Sequence, residues 1–414
     1  AAASNPFLPV VKKLTLLIRP TPDDGWVGGA IYFRNLVNSI TQAAREDGVD
    51  VEIVLAYEER SHLPASDRLL SAELKRVFFS DYEDIPLTPA QKEQLMAIPA
   101  GPERRPFRQM LQYGALIRET GGDLIFPLFP IGDYRLPCPI LSWIPDLQHA
   151  VLPEFFSPEE IEVRDRKYGN AAKASDAVIL SSEAARDDFL QRYGTPSGRL
   201  EVLRFFTLPE EVWFQGDPVA VRKRLGIPDD YLMVCNQFWA HKNHQLVIRA
   251  LSVLKERGIA PFVVFTGSLA ENRRGGIVDG VLQRLCEAGL WEQCRVLGQL
   301  DRVDQIQLVR GARAVVQPSL FEGWSTVLED CRTLGKRVIA SDLKVHREQD
   351  LPGATYFDPA SPAALADEIA SVLSEPVETS LSREEAARAG AGARTLDFGR
   401  QFLRLAREIA RVGQ

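Results

Sequence analysis

The sequence predicts an α/β fold with parallel sheets, and two observations carry that expectation. Short runs rich in Val, Ile, Leu and Phe are apolar on both faces, and most are separated by segments with a helical period. In chain order the runs are 13–18, 51–55, 124–129, 139–143 and 177–180, then 232–235, 262–265, 314–317 and 337–340. The clearest helical segment is 243–258, where Leu246, Val247, Ala250, Leu251 and Leu254 form one stripe that Gly258 and Pro261 end. Pro209, Gly216, Pro218, Gly226 and Pro228 punctuate a charged, weakly periodic stretch. A domain boundary is expected there, giving two α/β halves of about 200 residues each. In 395–412, Phe398, Phe402, Leu405, Ile409 and Val412 share a helical face nearly opposite Arg400, Arg404, Arg407 and Arg411. That pattern predicts a surface helix packed on a core; peripheral contact with an anionic membrane surface is the alternative reading.

Composition narrows the function classes. The 414 residues are 45% hydrophobic and 25% charged, enough for two or three full cores. The 49 basic and 56 acidic residues leave a net charge of −7, which argues against a partner built on nucleic acid phosphates. Cys138, Cys235, Cys286, Cys294 and Cys331 are scattered without C-x-x-C spacing or a Cys/His cluster, so a reducing compartment and no structural metal are expected. No apolar run approaches the ~20 residues of a membrane span, and the first residues lack the basic start and apolar core of a secretory signal. A cytoplasmic protein is the expectation, with the inner face of the membrane as a variant of it.

The densest chemistry lies in 318–330, directly after the strand 314–317. Gly323, Ser325, Thr326 and Val327 lie between a strand and a helix, so backbone N–H groups at the helix start are available to a phosphate. Glu322 at the strand exit and Glu329 and Asp330 two turns on are then placed to accept hydrogen bonds from sugar hydroxyls.

Phe-Glu-Gly-Trp-Ser-Thr-Val-Leu-Glu-Asp, 321–330, followed by Leu-Gly-Lys-Arg-Val-Ile-Ala-Ser-Asp, 334–342, resembles the E-x7-E region of family-4 glycosyltransferases with the GT-B fold. Segments 236–244, 265–268, 296–300 and 345–349 extend the resemblance, as do 143–149, 152–156, 181–185 and Gly28-Gly29 in the first half. The resemblance implies two Rossmann-like domains facing a cleft, with 1–210 holding the acceptor and 211–395 binding a nucleotide-sugar. It implies that 396–414 is a helix crossing back to the first domain. The implied reaction is retaining transfer of a hexose to a glycan or lipid-linked acceptor, with the leaving diphosphate stabilised by positioned donors. No D-x-D occurs in the chain, so fixed protein charge is expected to replace a divalent ion; neither metal nor cofactor is expected. UDP-sugar is favoured over GDP-sugar, with a GDP-sugar-dependent mannosyltransferase or a catalytically weak nucleotide-sugar binder as alternatives.

Residue by residue, the resemblance gives Glu322 the donor-sugar contact, Asp330 or its neighbour Glu329 the ribose, and Lys242 the diphosphate. Gly28, Gly29, Gly267, Gly298, Leu300, Gly323, Trp324, Ser325, Thr326 and Val327 complete the expected donor site. The sequence departs from the family pattern at three places. Asp330 stands where a glutamate is usual, which leaves the ribose contact open between Asp330 and Glu329. Gln237 stands where an arginine is usual, so either the diphosphate clamp is weaker or another group such as Arg204 or Arg273 contributes. Pro145 stands where many relatives carry a histidine before Asp146, which makes Asp146 and His149 the candidates for a polar contact in the cleft.

Overall fold

In a computed structural model the described residues are 13–20, 27–60, 63, 67, 70–82, 86–98, 104–131, 134–270, 276–376 and 381–410. The first half carries the parallel strands β1 (Leu14–Ile18), β2 (Val51–Tyr57), β3 (Lys75–Phe78), β4 (Leu124–Phe126), β5 (Leu141–Ile144), β6 (Ala177–Leu180) and β7 (Arg199–Val202). They run in the orders β3-β2-β1-β4 and β5-β6-β7, and the parallel bridge Ile125–Ile140 joins the two pieces beside β4 and β5. The helices of this half are α1 (Val27–Glu46), α2 (Pro89–Ala97), α3 (Arg104–Thr120), α4 (Gln148–Val151), α5 (Pro158–Ala174) and α6 (Glu183–Tyr193).

The second half holds β8 (Leu232–Cys235), β9 (Val263–Thr266), β10 (Cys294–Gly298), β11 (Ala314–Gln317), β12 (Val338–Ser341) and β13 (Thr355–Phe357), in the order β10-β9-β8-β11-β12-β13. Two short helices, α7 (Glu211–Gln215) and α8 (Pro218–Arg224), lead into it. Its remaining helices are α9 (His244–Glu256), α10 (Ile277–Glu287), α11 (Arg302–Gly311), α12 (Thr326–Thr333), α13 (Lys344–Gln349), α14 (Pro362–Ser374) and α15 (Leu381–Ala410).

The central strands are apolar on both faces because each face meets a different core. On β1, Leu14, Leu16 and Ile18 point into one cluster while Leu17 points into another. On β8, Leu232 and Val234 enter one cluster, Met233 and Cys235 the opposite one. Each such side chain contributes about 1.5–3 kcal/mol of apolar burial.

The long helix α15 starts beside the second half, where Glu384 pairs with Arg310 at 2.8 Å, and ends on the first. Phe398, Phe402, Leu405 and Ala406 of α15 join the same core as Tyr32, Phe33, Leu36 and Val37 of α1. A Cβ on Gly399 would lie 2.1 Å from the Ser39 carbonyl, so only glycine lets the two helices approach this closely. Arg400 pairs with Asp47 at 2.6 Å on the outer side. The apolar stripe behind the membrane-surface reading is therefore covered by α1, which removes the feature that favoured that reading; Arg411 and Val412 lie outside the described residues. Among the described residues no helix is long and apolar enough to cross a membrane.

Candidate functional site between the two sheets

Strands within each sheet are parallel, so their carboxyl ends share one edge, and these edges confront each other across the middle of the molecule. Gly323, in the loop after β11, meets the loop after β5. A Cβ there would fall 2.0 Å from the Pro145 carbonyl oxygen and 2.9 Å from Asp146 Cβ. Glycine is the residue this contact tolerates. After β6, Ser182 Oγ donates to the Gly323 carbonyl at 2.9 Å. Glu348 of α13 accepts from the Glu183 and Ala184 amides at 2.8 and 3.2 Å, binding the start of α6 to the second sheet. Asp146 lies at this junction, with Arg164 Nη1 3.9 Å from its carboxylate.

Lys242 and Glu322 arrive from different strands. Lys242 ends a 3-10 turn that follows β8, and Glu322 follows β11; because β8 and β11 are neighbours, their exit loops are side by side. Lys242 Nζ donates to Glu322 Oε1 at 2.6 Å, and Gln317 Nε2 and Ser319 Oγ donate to the same oxygen at 2.8 and 2.7 Å. Burial pushes the Glu322 carboxyl up. The charge of Lys242, the nearby His241 and His346, and the hydrogen bond from Lys242 more than offset this, leaving it below the usual glutamate range. His346, wholly buried, holds the Ser341 carbonyl through Nδ1 at 2.8 Å, and its Nε2 has no hydrogen-bond partner among the described residues.

The helix start after Glu322 is well defined. Ser325 caps α12, its Oγ accepting from the Leu328 amide, and its own amide donates to Gln349 Oε1 at 3.1 Å. Thr326 and Val327 form the first turn, where amides have no intrahelical acceptor. The two acids of the helix diverge. Glu329 is fully buried and accepts from Gln349 Nε2 at 2.8 Å and Arg332 Nε at 3.1 Å. Asp330 accepts from Arg302 Nη2 at 2.5 Å, on the side where Gly298 ends β10 and Leu300 lies in the loop to α11. Gly298 in turn accepts from the Gly267 amide at 2.9 Å, which ties the exits of β9 and β10, while Gln237 sits in the adjacent exit of β8.

Several expected site residues are placed elsewhere. His149 is turned into the first core, its Nε2 3.0 Å from Tyr193 Oη and 3.3 Å from Asp165 Oδ1, between the rings of Phe156 and Tyr168. It is buried there and does not face the cleft; burial, and then Arg164, lower its pKa. Gly28 and Gly29 lie in the first turn of α1, not in a loop. The Trp324 indole is buried against Phe205, whose carbonyl it reaches at 2.9 Å, so it joins the domains instead of lining a donor site. Arg204 is 2.8 Å from Glu348, which neutralises the charge expected to stand in for Gln237. Arg273 lies outside the described residues. Conversely, sequence reasoning gives no role to Gln317, Ser319, His346 or Arg302; Ser319 and His346 lie in the segments 318–330 and 345–349 already singled out, and Gln317 is the polar residue closing an otherwise apolar strand.

Residues 220–394 match the family described as Glycosyl transferases group 1, a span that contains the second sheet and most of its helices. No curated protein matches the chain in sequence. In structure it is similar to a glycosyltransferase from Rickettsia africae ESF-5, at 14% identity and a TM-score of 0.67, covering 96% of this chain and 98% of that one. Sucrose-phosphate synthase from Thermosynechococcus elongatus is 16% identical with a TM-score of 0.67, over 95% and 99% of the two chains. Anabaena HepE, solved with UDP and glucose, is 16% identical with a TM-score of 0.60, over 95% and 99%. The chain has the GT-B fold, two Rossmann-like domains with a cleft between them.

Proposed function

We propose that this protein is a retaining, metal-independent hexosyltransferase that moves a sugar from a nucleotide-sugar, UDP-linked in preference to GDP-linked, to a glycan or lipid-linked acceptor. The observation that carries the reading is the meeting of Lys242, Glu322 and the first turn of α12 at the strand exits opposite Asp146. A diphosphate seated on the free amides of Thr326 and Val327 would also draw the Lys242 ammonium, and both would stabilise the charge that develops as the nucleoside diphosphate departs. Glu322 receives its three protein donors on Oε1, which leaves Oε2 to accept a hydroxyl of the transferred sugar. Asp330, on the side of Gly298 and Leu300, is the acid suited to the ribose, whereas Glu329 is committed to Gln349 and Arg332.

Titration of the full chain with UDP and GDP in EDTA tests the donor site. Binding should persist, because protein charge replaces the divalent ion, and should raise the apparent melting temperature with concentration. Complete loss of binding in chelator would sink the metal-independent reading. An inverted anomeric centre in the product would sink the retaining one. A catalytically weak binder is the second reading, favoured by Lys242 being already paired and by Gln237 standing where relatives place a charge. Slow hydrolysis of a bound nucleotide-sugar separates an enzyme from such a binder.

A further inference from the structure

Away from the junction at Gly323, the first domain contains a cavity of 1020 Å³ at the carboxyl ends of β2 and β3. It opens at the same sheet edge as the Pro145–Asp146 loop, since all these strands are parallel. Phe79 and Tyr113 form its apolar side, ring edge against ring face at 4.4 Å. Arg104, Arg105 and Arg108, from the first turns of the same helix α3 that carries Tyr113, also line it. Two acids, Glu58 and Glu59, also border it, but Glu58 is held by Arg19 at 2.6 Å. Arg104 uses its Nε on the Ile98 carbonyl at 3.0 Å, while the exposed Arg105 and Arg108 form no ion pair among the described residues. The basic character continues toward Asp146: Lys167, its ammonium 4.0 Å from the centre of the Phe129 ring, lies in the field of both Arg19 and Arg164.

An exposed guanidinium pair, unpaired among the described residues, in a cavity whose floor carries the largely buried rings of Phe79 and Tyr113 suits a sugar bearing a phosphate. Position adds a length. From β5, where the loop meets Gly323, to β2 and β3 is three to four strand spacings, about 14–19 Å. A group held in the cavity is therefore separated from the reacting hydroxyl by more than one sugar ring.

Resting on the transferase reading above, we infer that the acceptor is an extended glycan bearing a phosphate or diphosphate at its non-reacting end, and that Arg105 and Arg108 bind that group. The anion can belong to a soluble phosphorylated oligosaccharide or to a lipid diphosphate; the recognition chemistry is shared.

The full chain, saturated with UDP, is titrated with maltotriose 1-phosphate and with maltotriose, and in parallel with phosphatidylcholine vesicles that carry or lack a polyprenyl diphosphate. At least one phosphorylated probe should bind about tenfold or more tightly than its neutral counterpart. The Arg105→Gln/Arg108→Gln variant should lose that preference while its melting temperature and UDP affinity stay unchanged. Preference for the soluble probe assigns a free glycan phosphate, and preference for the loaded vesicle alone assigns the lipid. Equal binding of phosphorylated and neutral probes in both arms, or a variant that keeps the full preference, overturns the inference. Failure to bind UDP, by contrast, strikes the transferase reading, and the phosphorylated-against-neutral comparison is then read without nucleotide.

Discussion

Lys242 already has a counter-charge within the protein, so in the proposed donor site a diphosphate must draw it away from Glu322. Lys242→Ala should weaken UDP binding about 10- to 100-fold, the size of one charge-assisted hydrogen bond, with the fold intact by circular dichroism. Glu322→Gln keeps the hydrogen-bonded shape and should lower turnover more than nucleotide affinity. An unchanged dissociation constant in the lysine variant would return Lys242 to the status of a helix-start lysine. The two acids of α12 should also fail differently: Asp330→Asn loses roughly tenfold in UDP affinity, whereas Glu329→Gln, buried against Gln349, leaves that affinity as it was. The reverse pattern would mean that the ribose contact sits one residue earlier. At this scale the motif made Glu322 and Lys242 legible as candidates, since a strand exit followed by a helix start leaves amide donors suited to an anion. His149 misled because a histidine near a cleft loop reads the same whether it faces solvent or, as here, Tyr193 and Asp165. Gln317, Ser319 and His346 acquire meaning only once β8, β11 and β12 are known to be adjacent.

Among elements, the loop from β11 into α12 carries both the proposed donor groups and the contact with the first domain. Gly323→Ala would place a methyl where the Pro145 carbonyl now lies, so the Pro145–Asp146 loop must retreat. Turnover should fall at least tenfold while UDP affinity stays within a few-fold, because the proposed donor groups all lie in the second domain. Equal losses in both would show that the loop itself had collapsed. The strands divide in an instructive way. All nine that the sequence announced, β1, β2, β4, β5, β6, β8, β9, β11 and β12, have a neighbour on each side. The four it did not announce, β3, β7, β10 and β13, are the sheet edges. An edge strand such as Lys75–Phe78 or Arg199–Val202 has side chains in water, so it lacks the two-sided apolar run that marks a buried parallel strand.

Over the whole molecule, burial lowers the pKa of His149, His244 and His346, the value for His244 falling to about 3. Each binds its proton more readily unfolded than folded, so the stability it supports is complete above the ordinary histidine value of 6.5 and is lost as pH falls below it. Three such groups should cost up to ~1.4 kcal/mol per pH unit each, so the melting temperature should drop steadily from pH 7 to pH 5. A flat profile over that window would contradict their neutral burial. The long helix α15 has a further consequence, in the order of events during synthesis. Phe398 and Phe402 belong to the core built on α1 and β1, yet some 350 residues separate them from α1 in the chain. On a ribosome the first domain thus emerges with a seam of its interior open, and the second domain must be made before the seam can be filled. A fragment ending at residue 210 should therefore bind hydrophobic dyes and aggregate, and a separate peptide of residues 381–410 should rescue it. The first domain is the earlier to be synthesised and the later to be finished.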